Sequence, residues 1–182
     1  MSSARIIARG DRPAPMRIAG FDIQTLISGN EAQDFEVFFT SGLDGTGPAP
    51  HCHQWDETFF VLQGPVAFGV GDQEQWIEAG TLLHVPGGER HWYRFGDQKG
   101  EFLSFTSGKA ASPMYRELAG LPAEAPKLDY RAVAIRHGQT ALPDGLSQPL
   151  TSLRGPLPPH LASLYLYRSA QSAAHPSPAA RG

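Results

Sequence analysis

The sequence predicts an all-β barrel followed by short helices, and three observations carry that expectation. Short runs of β-branched and aromatic residues recur between Met16 and Phe105, each closed by turn residues. Glycine and proline are abundant, with 20 and 16 among 182 residues, and they fall between those runs. Beyond Gly108 the texture changes to segments with helix start and stop signals.

The elements follow in order. Residues 21–27 read as one strand, bounded by Ser28-Gly29-Asn30, and residues 33–40, rich in aromatics, as the next. Residues 65–70 and 75–78 flank Gly71-Asp72, a hairpin turn in which glycine tolerates positive φ. Pro86-Gly87-Gly88 forms a turn that delivers His91, and the strand beyond it sets Tyr93 and Phe95 on the face of His91. Residues 99–107 close the barrel. Ser112 is the expected cap of a first helix, with Pro113 in its first turn and Gly120 as its end. A second helix is expected over residues 129–137, stopped by Gly138. Both are expected to pack against the outside of the barrel through Met114, Leu118, Leu128 and Val133.

This divides the chain into an N-terminal arm (1–15), a barrel (16–107), a helical extension (108–141) and a proline-rich, partly disordered tail (142–182). The patch 161–167 is too apolar to sit free, so it is expected to cover the barrel or meet a second subunit. There is no internal repeat. A net charge of −3 with scattered basic residues argues against a nucleic-acid partner. The N-terminal residues have no apolar h-region and no later stretch approaches a membrane span, so neither export nor a membrane is expected. The lone Cys52 permits no internal disulfide, compatible with a cytoplasmic location.

Two runs carry chemistry. In the first, His51 and His53 stand two apart, so on a strand they offer two imidazoles to one ion while Cys52 points away. Glu57 opens the next apolar strand and either joins them as an oxygen ligand or accepts a hydrogen bond from a ligand imidazole. His91, after the second run, supplies a third nitrogen. Three imidazoles and one carboxylate suit one divalent transition metal per chain: iron, manganese, nickel, cobalt or zinc. His84 reads as a core or surface histidine. Phe39, Phe59, Tyr93 and Phe105 are expected to line the space above the ion and to favour an apolar or aromatic small-molecule substrate, with Arg94 and Lys99 solvated.

The spacing also carries a resemblance. Gly45, His51, His53, Glu57 and Gly64 fit Gly-x5-His-x-His-x3-Glu-x6-Gly, and Gly80, Pro86, Gly88 and His91 fit Gly-x5-Pro-x-Gly-x2-His. Both are patterns of the cupins, so the chain resembles a single-domain cupin, and the resemblance implies a jelly-roll barrel. Phe95 stands where the family often has asparagine, which puts the usual local packing in question. Among cupins the chain looks similar to small quercetin-dioxygenase-like proteins. That likeness implies an oxidoreductase in which an enolic substrate reacts with O2 and Glu57 accepts the substrate proton. The rival readings are a lyase, isomerase or cyclase without O2, and a barrel that binds a small ligand without catalysis. A homodimer is expected.

Overall fold

The computed structural model describes residues 4–122 and 125–141. Eleven strands and two helices follow in chain order: β1 (Met16–Ile18), β2 (Phe21–Ile27), β3 (Phe35–Gly42), β4 (His51–Cys52), β5 (Glu57–Gln63), β6 (Val66–Val70), β7 (Gln73–Ile77), β8 (Leu82–Val85), β9 (His91–Phe95), β10 (Gly100–Ser107), α1 (Ala111–Ala119), α2 (Lys127–Arg136) and β11 (Thr140–Ala141). They form two antiparallel sheets of order β1-β2-β3-β10-β5-β8 and β11-β4-β9-β6-β7, the arrangement of a jelly roll. The patch 161–167 and the tail expected from residue 142 onward lie outside the described residues.

Alternation along the strands decides what goes inside. On β5, Glu57, Phe59 and Val61 are buried, and on β9 so are His91, Tyr93 and Phe95. The facing sheets close over an aromatic core in which Phe59, Phe68, Tyr93 and Phe102 meet at ring separations of 4.8–6.1 Å. Phe95 is fully buried beside them, stacked on Phe102 at 5.6 Å. Its space is made by Gly42 and Gly100, which are opposite one another in the β3–β10 ladder. A Cβ on either would lie within 2.2 Å of the Phe95 ring. The missing asparagine is thus replaced by a ring that two glycines accommodate.

The helices are anchored by an acid from another part of the chain. Glu36, on β3, is completely buried, and its carboxylate accepts hydrogen bonds from the backbone N–H of Gly29 (3.0 Å), Ala111 (2.9 Å) and Ser112 (3.1 Å) and from the Ser112 hydroxyl. Ser112 is therefore not the cap that its sequence position suggests. The helix begins at Ala111, its N-cap Ala110 has no side-chain oxygen, and Glu36 satisfies the exposed donors at the positive end of the helix instead. The second helix starts two residues earlier than expected, at Lys127, and ends at Arg136, with Gly138 at φ 85° just beyond it. Met114, Leu118 and Val133 are buried as expected, but Leu128 is 72% exposed. It faces away from the surface through which α2 packs, because the buried pair Val133 and Ala134 sets that face.

After α2 the chain adds an element that periodicity did not reveal. β11 pairs with β4, Thr140 opposite Cys52 and Ala141 opposite His51.

Replacing Glu36 by Ala would leave several buried donors without an acceptor, so it is expected to cost about 2–4 kcal/mol of stability. Urea unfolding that shows a loss below about 0.5 kcal/mol would contradict the capping role.

Candidate metal centre

Local chain geometry brings the two histidine-bearing runs together. The β4–β9 ladder sets His51 directly opposite His91. The turn before His91 is clamped to the loop that carries His53: the Gly88 N–H donates to the His53 carbonyl at 2.6 Å, and the Gly87 N–H to the Asp56 carboxylate at 2.8 Å. Gly87 has no room for a side chain, since a Cβ would lie 2.2 Å from the Gln54 carbonyl oxygen. Asp56 is itself fixed to β10, accepting from the Ser107 N–H through its backbone carbonyl and donating its own N–H to the Ser107 hydroxyl.

His51, His53, Glu57 and His91 are all buried and converge. One ring nitrogen from each histidine lies within 4.8 Å of the other two. The Glu57 Oε2 is 3.1 Å from His53 Nε2 and 3.5 Å from His91 Nε2. The other ring nitrogen of each imidazole is spoken for. Nδ1 of His51, His53 and His91 lies 2.8, 2.8 and 2.9 Å from the carbonyl oxygens of Ala49, Trp55 and Glu89. A carbonyl only accepts, so each Nδ1 carries a proton, which leaves Nε2 as the nitrogen that can face an ion. The His53 ring is further held by stacking on Trp55, with centroids 4.1 Å apart and planes 7° from parallel.

With the rings neutral, three Nε2 lone pairs and a carboxylate oxygen would face one another, and His91 Nε2 is buried without a hydrogen-bond partner. Such a set is unfavourable until a cation occupies its centre, and the residues present fit one. Electrostatics agree. Burial, then the neighbouring His91 and His53, push His51 down to about 3, so it is neutral at physiological pH. Burial alone would raise Glu57, but the adjoining His53 and His91 imidazoles outweigh that and hold it at about 2, so it is ionised.

His51, Glu57 and His91 floor a cavity of about 790 Å³, with His53 behind them. Its walls include Phe21, Phe59 and Tyr93 from the barrel, Met114, Tyr115 and Leu118 from α1, and Tyr130 and Ala134 from α2. The helices thus roof the barrel mouth, where the sequence suggested only outside packing. Of the aromatics expected in the wall, Phe59 and Tyr93 are there, whereas Phe39 and Phe105 are elsewhere. Glu36, Phe38 and Thr40 hold the inward parity of β3, so Phe39 lies on the other face, covered by the Arg12 guanidinium 4.0 Å from its ring. Phe105 alternates with buried Ser104 and Thr106 and is 39% exposed. His84 is exposed and hydrogen-bonded through Nδ1 to the Thr58 hydroxyl at 2.9 Å, away from the centre. Lys99 pairs with Glu101 at 2.7 Å on the surface. Arg94 is largely solvated, as expected, pairing with Glu74 at 3.5 Å, and it borders the cavity together with Arg90, Lys127 and Arg131. Sequence reasoning missed this set because its members come from β9 and its approach and from α2, and no local run joins them.

The shifts fix a pH dependence for the metal-free protein. His51 falls from an ordinary 6.5 to about 3 and Glu57 from 4.5 to about 2. In both cases the unfolded chain binds more protons across the interval, so stability is fully present above about pH 6.5 and is lost as pH falls toward the folded values. Thermal melting should be flat above pH 7 and fall on acidification, with the loss between pH 6.5 and 4.5 reduced in a His51→Asn variant. A melting temperature unchanged from pH 7 to 4 would contradict the assignment.

Comparison with known proteins supports the same architecture. Residues 42–106 match the family model described as Cupin domain. KdgF from Halomonas sp. superposes with a TM-score of 0.55 at 12% identity, covering 61% of this chain and 99% of that one. The polyketide cyclase RemF from Streptomyces resistomycificus does so with 0.53 at 21% identity, covering 58% and 80%. An RmlC-like cupin from Shewanella frigidimarina gives 0.52 at 17% identity, covering 62% and 98%. At these identities the likeness speaks for the fold alone, and no curated protein matches the chain in sequence. The matched segment contains His51, His53, Glu57 and His91, the two sheets close as a jelly roll around them, and residues 42–106 accordingly form a cupin domain, the one such match among the described residues.

Proposed function

We propose that the protein is a metal-dependent cupin enzyme that takes a proton from a small enolic or phenolic substrate, with O2 as co-substrate in a dioxygenase reaction. The observation that carries the metal part is the convergence of three buried imidazole nitrogens and one carboxylate oxygen, with His91 Nε2 lacking a hydrogen-bond partner. The residues that would hold the ion are His51, His53 and His91 through Nε2, with Glu57 beside them. When bound, it would supply Lewis acidity toward a substrate hydroxyl and, for a redox-active metal, one-electron chemistry with O2.

The chain's own residues do the rest. The apolar walls Phe21, Phe59 and Leu118 bind the body of the substrate and exclude water around it. Glu57 is ionised and reaches the cavity, so it is the base. As an ionised carboxylate it suits a hydroxyl that is already acidic, an enol or a phenol. The phenols of Tyr93 and Tyr115 are kept protonated, burial and then the Glu57 charge raising both well above their ordinary value. They are hydrogen-bond donors on the wall near the base.

Those two phenols also support a second reading, a lyase, isomerase or cyclase without O2, because a protonated group next to a base can return a proton to a rearranged substrate. On either reading the lone Cys52 is compatible with a cytoplasmic setting. The exposed Leu128 and Ile135 on the outer side of α2 support a homodimer, which sizing would test. No helix among the described residues is long and apolar enough to cross a membrane.

The test combines metal content with turnover. His91→Ala should lose most of the metal by elemental analysis. Glu57→Gln should retain much of it through three imidazoles and lose on the order of 10²–10⁴-fold in rate, since an amide takes no proton at neutral pH. Oxygen uptake followed alongside product formation from flavonols and enediols decides the reaction class: turnover without O2 consumption replaces the dioxygenase with the second reading.

A further inference from the structure

The charges around the cavity do not balance. Its walls carry Arg90, Arg94, Lys127 and Arg131, and the one acid among its lining residues is Glu57, on the floor and engaged with two imidazoles. Two of the cations have partial partners. Arg94 lies 3.5 Å from Glu74 and 5.4 Å from the Trp92 ring. Arg90 donates to the Gly71 carbonyl at 2.8 Å and stands 4.0 Å from Asp72, while its Nε is buried without a hydrogen bond.

Lys127 and Arg131 differ. With Tyr130 and Ala134 they make the stripe of α2 that lines the cavity, spaced as one helical face. Like charges four residues apart repel, and no carboxylate among the described residues pairs with either of them. Asp129 lies on another face of the helix, and Glu117 is taken by Arg136 and His137. The same stripe starts in the first turn of α2, whose N-cap Pro126 offers no side-chain acceptor, so the helix end adds positive potential there. Lys127 and Arg131 stand on the roof helix, on a different element from the floor residues, and so suit a ligand that is charged at one end.

We infer that the ligand of this cavity is an amphipathic carboxylate: an aromatic or otherwise apolar body with a hydroxyl for the floor and a carboxylate at its far end, received by Lys127 and Arg131 of α2. Arginine suits the carboxylate through its planar pair of donors, and lysine adds a point charge. This rests on the metal-centre reading for the hydroxyl end and stands on separate residues for the carboxylate end.

The probes are 6-hydroxy-2-naphthoate, with its two groups at opposite ends of the ring system, and 2-naphthol, the same body without the acid. Affinities for the metal-loaded full chain are read by ligand fluorescence. The naphthoate should bind about tenfold or more tightly than the naphthol, the scale of one charge-assisted contact. Lys127→Gln with Arg131→Gln should erase that preference, leaving naphthol affinity and metal content as they were. Arg136→Gln removes a cation from α2 that does not line the cavity and should leave the preference intact. Equal affinities in the parent would overturn the inference, and this arm needs no variant to fold. It is equally overturned if the preference survives in the double variant or is lost in Arg136→Gln. Elemental analysis of the same samples reports on the metal reading separately. An ion present with equal affinities sinks only the carboxylate inference, and a carboxylate preference without any ion sinks only the metal centre.

Discussion

The contact on which the site depends is a backbone hydrogen bond, from the Gly88 N–H to the His53 carbonyl at 2.6 Å. It joins the turn before β9 to the loop after β4, and so ties His53 of that loop to His51 on β4 and His91 on β9. Without it, His51 and His91 would still face one another across the β4–β9 ladder, but the His53 loop would have no fixed distance from them. The same closure explains why glycine is required nearby, since the Gln54 carbonyl occupies the place where a side chain on Gly87 would begin. The imidazoles are then aimed by their Nδ1 bonds to main-chain carbonyls within two residues of each ring. Aim is thus encoded locally, and convergence comes from the β4–β9 ladder and the backbone clamps of Gly87 and Gly88.

Much of this was legible in the chain. Strand parity alone puts His91, Tyr93 and Phe95 on one face, and the spacing of the two histidine-bearing runs identifies the residues that converge. What was not legible has physical reasons. Phe38 and Phe39 are adjacent, so alternation allows just one inside, and nothing local says which; a buried glutamate at position 36 decides it. Phe105 belongs to the same problem, solved by Ser104 and Thr106 taking the interior against expectation from hydropathy. Ser112 has the right chemistry and position for a cap, yet a carboxylate from β3 performs that task.

The basic wall of the cavity shows a further limit. Arg90 and Arg94 look like surface residues in their own segment, Arg131 sits in the short helix expected over residues 129–137, and Lys127 falls before it. Only the folding of α2 over the barrel mouth brings them around one space. Charge patterns of this kind belong to tertiary structure, which is why composition gave a mildly acidic chain and no sign of a cationic rim.

The pairing of β11 with β4 bears on how the protein is made. The strand that starts with His51 is two residues long, and one of its two neighbours is contributed by Thr140 and Ala141. During synthesis the barrel residues leave the ribosome first, and the edge beside His51 stays open until the segment after α2 has emerged. The histidine-bearing strand is therefore among the last parts of the barrel to be sealed, so the nascent chain has a period in which the imidazoles are reachable from the side, before the roof helices and the final strand close over them.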